Sequence, residues 1–258
     1  MPRSVCPRCN RIAVVCICSC LPSSPLSIGT PVFILQVPIP RAAPRSHHRP
    51  QRLSHSPQNR RENKRKTNSV SLLRLCLSPS SLHVISGCHP GRSLLETSPA
   101  YIAACEDGRI PLLLYPRAGA LSEAEVAERA KTGARYSLVV LDGNWTETSE
   151  ISRTLHDIAS FALDVGKYKG LFSVRRPKQD GFLCTLEAVA YALDVIEPQP
   201  ASPQLLPPML RVCLQEEEFA VQRAGGVRHR PDAPGYRAGL MDDVRAAAAA
   251  YTGSAKEM

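Results

Sequence analysis

Five of the chain's ten cysteines fall between residues 6 and 20, in the order Cys6-x2-Cys9-x6-Cys16-x-Cys18-x-Cys20. A Cys-x-x-Cys turn sets two sulfurs on one side of the backbone, and a second close pair can complete a tetrahedron around a metal. The expected arrangement is a zinc knuckle on Cys6, Cys9, Cys16 and Cys18, with Cys20 able to replace Cys18. Its role would be structural, because protein fills all four positions. A redox pair or a chance cluster are the competing readings. Cys76, Cys88, Cys105, Cys184 and Cys213 are scattered and read as small buried apolar residues. A disulfide framework is not expected. Such frameworks belong to small secreted domains, whereas 258 residues with 43% apolar content can fill one sizeable core unaided.

Charge is concentrated near one end. Residues 1–40 carry three arginines and no acid, and residues 41–66 carry nine Lys/Arg against Glu62, so the net charge of +9 leaves −2 for the rest. The run Arg60, Arg61, Lys64, Arg65, Lys66 reads either as a phosphate-binding surface or as a solvated loop. No apolar run approaches the roughly 18–20 residues that a bilayer span needs. Arginines and thiols interrupt the apolar stretch at the start of the chain, unlike a signal peptide. The expectation is a soluble intracellular protein, nuclear or cytoplasmic, with no membrane partner. The sequence leaves its oligomeric state open.

The pattern predicts strands at Thr30–Gln36, Leu82–Ser86, Ile110–Tyr115, Ser137–Leu141 and Leu171–Val174. Helices are predicted from about Arg60 through Leu77, at Ser122–Lys131, Thr146–Leu163 and Thr185–Ile196, and at Asp243–Tyr251. Ser122 and Glu125 form a capping box for the second helix, and Cys184 or Thr185 caps the fourth. Residues 37–57 are rich in Pro, Arg, His and Ser, show no period of 2 or 3.6, and read as a disordered insertion. Strands alternating with helices predict an α/β core with a mostly parallel sheet flanked by helices.

In open α/β folds the strand ends face the site. Asp142-Gly143-Asn144-Trp145 follows the strand SLVVL, so a carboxylate stands where it can accept a proton or orient a polar group. Trp145, the single tryptophan, is a stacking face or a core aromatic. Tyr115-Pro116 ends a second strand. Arg175-Arg176-Pro177 and then Gly181 to Glu187 lead into a helix N-terminus, where free N–H groups suit an anion.

Taken together these pieces resemble the DTW-domain family. The matching residues are Cys6, Cys9, Cys16 and Cys18 with Leu21-Pro22, FILQ at 33–36, LYP at 114–116, LDGNW at 141–145 and VRRPKQDGFLCTLEAVAYAL at 174–193. Asn144 stands where the motif has Thr, and Cys184 where the block has Ser. Valine follows Gln36 where the family continues with His-Pro. The resemblance implies a SPOUT-like fold with a knotted C-terminal half. It also implies an S-adenosylmethionine-dependent tRNA-uridine aminocarboxypropyltransferase that modifies N3 of a uridine, with tRNA as partner.

By position in the motifs, Asp142 is the expected base or orienting group. Tyr115, Pro116, Trp145, Thr185 and Glu187 fall to the cofactor site, and Arg175 with the basic run to RNA. Thr185 and Glu187 would hold the methionine moiety or cap the helix. The expected organisation is a knuckle at 1–22, a catalytic domain at 23–36 and 58–213 interrupted by 37–57, and a tail at 214–258. A non-catalytic RNA-binding protein with a zinc knuckle and a basic arm is the alternative, and a relative acting on ribosomal RNA a third reading.

Overall fold

A computed structural model describes residues 4–36, 68–87, 91–143, 145–174, 182–223 and 239–254. The insertion at 37–57, the basic run Arg60–Lys66, Cys88 and Arg175 lie outside the described residues. Five strands form one sheet: β1 (Val32–Gln36), β2 (Leu82–Ser86), β3 (Ile110–Leu114), β4 (Tyr136–Asp142) and β5 (Ala159–Phe161). Their order is β2-β1-β4-β3-β5, and every pairing is parallel. Parallel strands need crossover helices on both faces, so the central strands read as continuous apolar runs. Val32, Phe33, Ile34 and Leu35 of β1 are accordingly all fully buried.

The helices are α1 (Ser69–Cys76), α2 (Arg92–Glu96), α3 (Pro99–Glu106), α4 (Glu123–Lys131), α5 (Trp145–Thr154), α6 (Thr185–Ile196), α7 (Ser202–Arg223) and α8 (Leu240–Ser254). They divide the core in two. On one face Ile34, Leu138 and Val140 pack with Leu186, Val189 and Leu193 of α6 and Leu205, Met209 and Leu210 of α7. On the other, Phe33, Leu35 and Val139 pack with Leu95, Tyr101, Ile151 and Leu155. Each fully buried Leu or Val contributes roughly 1.5–3 kcal/mol. No helix among the described residues is long and apolar enough to cross a membrane.

Four sequence expectations are corrected here. The predicted helix Thr146–Leu163 ends at Thr154 and is followed by β5, which pairs with β3. Ile151, Leu155 and Ile158 enter one core and Phe161 the other, so one continuous helical face cannot serve all four. Leu171–Val174 is not a strand but irregular chain and a turn. Its N–H groups at Leu171 and Phe172 bond a carboxylate rather than a neighbouring strand. Cys105 is exposed, because Tyr101 and Ala104 form the inward face of α3.

The fourth correction is α7, which the sequence pattern does not show. It contains Pro207 and Pro208, residues that normally argue against a helix interior. Six of its apolar residues, Leu205, Leu206, Met209, Leu210, Val212 and Cys213, are nonetheless buried, and that burial outweighs the missing backbone bonds. The predicted capping box at α4 is present, with Ser122 N–H donating to Glu125 and Glu125 N–H to Ser122.

Chain segments meet closely where α6 begins. A Cβ added at Gly170 would lie 2.3 Å from the carbonyl oxygen of Phe182. Both groups are backbone, so neither can rotate away. Gly170→Ala should therefore cost about 1–3 kcal/mol or more, as overpacking does, and lower the melting temperature measured by circular dichroism. A variant as stable as the parent would show that these two segments can separate.

Candidate active site and metal centre

Strand register builds the site. In a parallel sheet, paired residues project from the same face. Gln36 pairs with Ser86 on one side and Asp142 on the other. Two residues earlier, the row on that face is Val84, Ile34, Val140 and Leu114, all packed into the core that α6 covers. An apolar row therefore ends in a polar one at the C-terminal edge of the sheet.

The polar row is hydrogen-bonded along its length. Ser86 Oγ donates to Gln36 Oε1 at 3.4 Å, and Gln36 Nε2 donates to Asp142 Oδ2 at 3.0 Å. An ionised carboxylate only accepts, which fixes the orientation of the Gln36 amide. From α6, Thr185 Oγ1 donates to Asp142 Oδ1 at 2.7 Å. Two of the expected residues, Asp142 and Thr185, are thus in direct contact. Gln36, read in the sequence as the end of a strand and of the FILQ match but given no role, is the second donor to Asp142, and the register of β1 against β4 is the signal that would have found that role.

Glu187 plays a different part. Cys184 is the N-cap of α6 and forms a capping box with Glu187. The Glu187 carboxylate is fully buried. It accepts from the backbone N–H groups of Leu171, of Phe172 at 3.2 Å and of Cys184 at 2.7 Å. Burial pushes its carboxyl above the usual range, while these donors pull the other way. The structure thus realises the helix-capping role and ties the 171–172 segment to the start of α6. Burial, with Glu187 alongside, also pushes the Cys184 thiol well up, so the cap is a neutral S–H and not a nucleophile.

Tyr115 follows β3, and its N–H bonds to Phe161 O at 3.0 Å; Pro116 beside it is exposed. Arg117 donates to the carbonyls of Ser152 at 3.4 Å, Leu155 at 3.1 Å and Ile158. The Ser152 carbonyl lies in the last turn of α5, where a guanidinium offsets the negative end of the helix dipole, and those of Leu155 and Ile158 lie in the chain that follows it. The guanidinium thereby anchors the helix whose first residue, Trp145, lies just beyond Asp142 and Gly143. Arg117 is not among the residues that the sequence pattern singles out.

Cys6, Cys9, Cys16 and Cys18 have their sulfurs within 4.8 Å of one another. Cys6 and Cys18 are 3.5 Å apart, and Cys9 and Cys16 are 3.7 Å apart. Four sulfurs about 2.3 Å from a tetrahedral zinc would be about 3.8 Å apart, so the set fits that ion. Cys20 is not in the group, and its sulfur lies 3.8 Å from the Ser19 hydroxyl. Asn10 closes the first turn in the left-handed region, at φ 52°. The N–H groups of Cys9 and Arg8 lower the Cys6 thiol to about 6.

The chain matches the DTW domain over residues 3–216. The tRNA-uridine aminocarboxypropyltransferase 2 of Drosophila melanogaster is 28% identical over 218 residues, covering 82% of this chain and 74% of that protein. The proteins of the same name from Mus musculus and Macaca fascicularis are 26% identical over 230 and 231 residues. In both, 88% of this chain aligns with 66% of the relative, so the chain spans just under two thirds of their length. No solved structure matches.

Glu187→Gln tests the buried carboxylate. An amide keeps the shape but turns an NH2 donor toward N–H groups that need an acceptor. The loss should be about 1–3 kcal/mol, the usual cost of leaving a buried group unsatisfied. It should be read as a lower urea midpoint with an unchanged slope. An unchanged midpoint would mean that the three N–H groups find other acceptors.

Proposed function

Because the chain belongs to the DTW-domain family, we propose that it transfers the 3-amino-3-carboxypropyl group of S-adenosylmethionine to N3 of a uridine in tRNA. The observation that carries this reading is the Asp142 carboxylate at the C-terminal edge of a parallel sheet, held by Gln36 and Thr185. The names of the relatives supply the reaction class. In the transfer a bond forms between uridine N3 and the carbon next to the sulfonium. The carbon–sulfur bond breaks, the sulfur leaves as a neutral thioether, and the N3 proton must be lost.

Asp142 accepts or orients that proton. Its two donors fix the carboxylate before substrate arrives, which removes reorganisation from the reacting step. Tyr115, Pro116 and Trp145, at the ends of β3 and the start of α5, border the same edge and provide the cofactor's surroundings. Thr185 completes the set through Asp142, and Glu187 acts by holding the loop before α6. The SPOUT-like, knotted arrangement of this half belongs to the same reading and rests on the family resemblance. Arg175 and the basic run Arg60, Arg61, Lys64, Arg65 and Lys66 contact tRNA phosphates. Zinc on the four cysteines is structural.

The direct test is to incubate purified protein with labelled S-adenosylmethionine and unmodified tRNA and to identify the nucleoside formed. Label on N3 of uridine is expected. Binding of tRNA without transfer would leave the non-catalytic RNA-binding alternative in its place.

Asp142→Asn should lower turnover on the order of 10²-fold or more, the scale of a positioned acid–base group. S-adenosylmethionine binding should change much less. Gln36→Leu should reproduce part of that loss with little change in melting temperature. Near-normal turnover in Asp142→Asn would reduce Asp142 to a turn residue before α5. Neutralising the five basic residues should flatten the salt dependence of tRNA binding in proportion to the number of phosphates they neutralise. An unchanged slope would make them a solvated face.

A further inference from the structure

The knuckle holds a buried charge that the transfer reaction does not use. Arg11, between the two cysteine pairs, is only 6% exposed. Its Nε donates to Val15 O at 2.9 Å and its Nη2 to Gln215 Oε1 on α7 at 3.1 Å. Nη1 is buried without an acceptor, and so is Nε2 of Gln215, which is 2% exposed. Among the described residues no carboxylate forms an ion pair with Arg11.

We propose that Arg11 is the buried counter-charge of a metallated Cys6–Cys9–Cys16–Cys18 centre, and that the metal thereby decides whether the knuckle docks on α7. The argument is one of charge. A guanidinium stays protonated in proteins, and burying it without an opposite charge is costly. Without a metal the four sulfurs carry less negative charge than they do around one. Binding one Zn2+ releases the thiol protons to solvent and leaves four thiolates around the ion, a net charge of −2. The groups whose negative charge acts on Arg11 are Cys9, Glu216 and Cys16, two of them members of the centre.

The docking interface is built to feel this charge. Ile17 is fully buried, Cys9 and Leu21 nearly so, and all three belong to the same core as Met209, Leu210 and Val212 of α7. The Arg11–Gln215 bond is the polar tie within that apolar contact. Loss of the metal would remove much of that negative charge while the guanidinium stayed buried, and the knuckle would have to swing out to hydrate it. This inference does not depend on the transferase reading, since its readouts are metal affinity and local protection.

The test uses the full chain. Zinc affinity is measured by chelator competition for the parent, Arg11→Gln, Arg11→Lys and Gln215→Leu. Arg11→Gln should weaken zinc binding about 10–100-fold, the usual effect of removing an outer-shell partner. Arg11→Lys should lose less, because it keeps the charge, and Gln215→Leu should lose little. Arg11→Gln binding as tightly as the parent overturns the proposal. So does Gln215→Leu losing as much as Arg11→Gln, since Arg11 would then act only through docking, and so does a parent chain that binds no zinc. A measurement without variants covers the case in which Arg11→Gln misfolds. Stripping zinc should raise amide exchange in residues 4–21 and in α7 around Val212–Gln215 while β1 and β4 stay protected. Unchanged protection on stripping overturns it as well.

Discussion

The carboxylate of Glu187 carries the arrangement of the site. A loop that leaves the sheet must satisfy its backbone N–H groups, and those of Leu171 and Phe172 have no strand to pair with. Glu187 accepts both and also caps its own helix through Cys184. One buried group therefore sets where the loop runs and where α6 starts. Thr185 is the first residue of that helix, so its meeting with Asp142 follows from the same interaction. Burying a carboxylate is costly unless hydrogen bonds replace water, and here three backbone donors do so. The cost is offset locally, and the result is a fixed helix N-terminus at the edge of the sheet.

The sheet provides the other half of the geometry. Register places Ser86, Gln36 and Asp142 side by side at the strand ends, directly above a packed apolar row. A slip of one residue in β1 would turn Gln36 to the opposite face and Leu35 into the core of α6. The burial of Ile34 and Val140 thus protects the hydrogen bond between Gln36 and Asp142. Packing and site geometry are the same constraint seen at two heights on one face.

Much of this is legible in the sequence, but unevenly. β1 and β4 stand out because central parallel strands, buried on both faces, need unbroken apolar runs, and β2 and β3 stand out as short apolar runs. The start of α4 shows as Ser122 and Glu125, and the cysteine set shows in its spacing. The features that stay hidden depend on distant residues. β5 is three residues long and continues an apolar spacing that suits a helix until Phe161 has to enter the other core. Leu171–Val174 has the composition of a strand, yet its donors are claimed by Glu187, sixteen and fifteen positions away along the chain. α7 is masked by two prolines, and only its burial explains it. Arg117 and Arg11 are single polar residues whose partners lie at other positions in the fold, so no local pattern marks them, and the FILQ match marks Gln36 without showing its bond to Asp142.

Asp142, at the end of β4, and Glu187, in the first turn of α6, are both tied to the start of that helix, and counting acceptors separates their roles. An ionised carboxylate has about four lone-pair positions. Glu187 spends three of them on backbone N–H groups and is sealed from solvent, so a substrate could reach it only by dismantling the loop. Asp142 spends two, one on each oxygen, and is partly exposed as the last residue of β4. Each of its oxygens takes one donor and both are held in place, which is the positioning an orienting group requires. Similar carboxylates on neighbouring elements are thus divided between architecture and chemistry by how many donors the backbone aims at each. Exchanging the two would leave either the loop or the reaction without an acceptor.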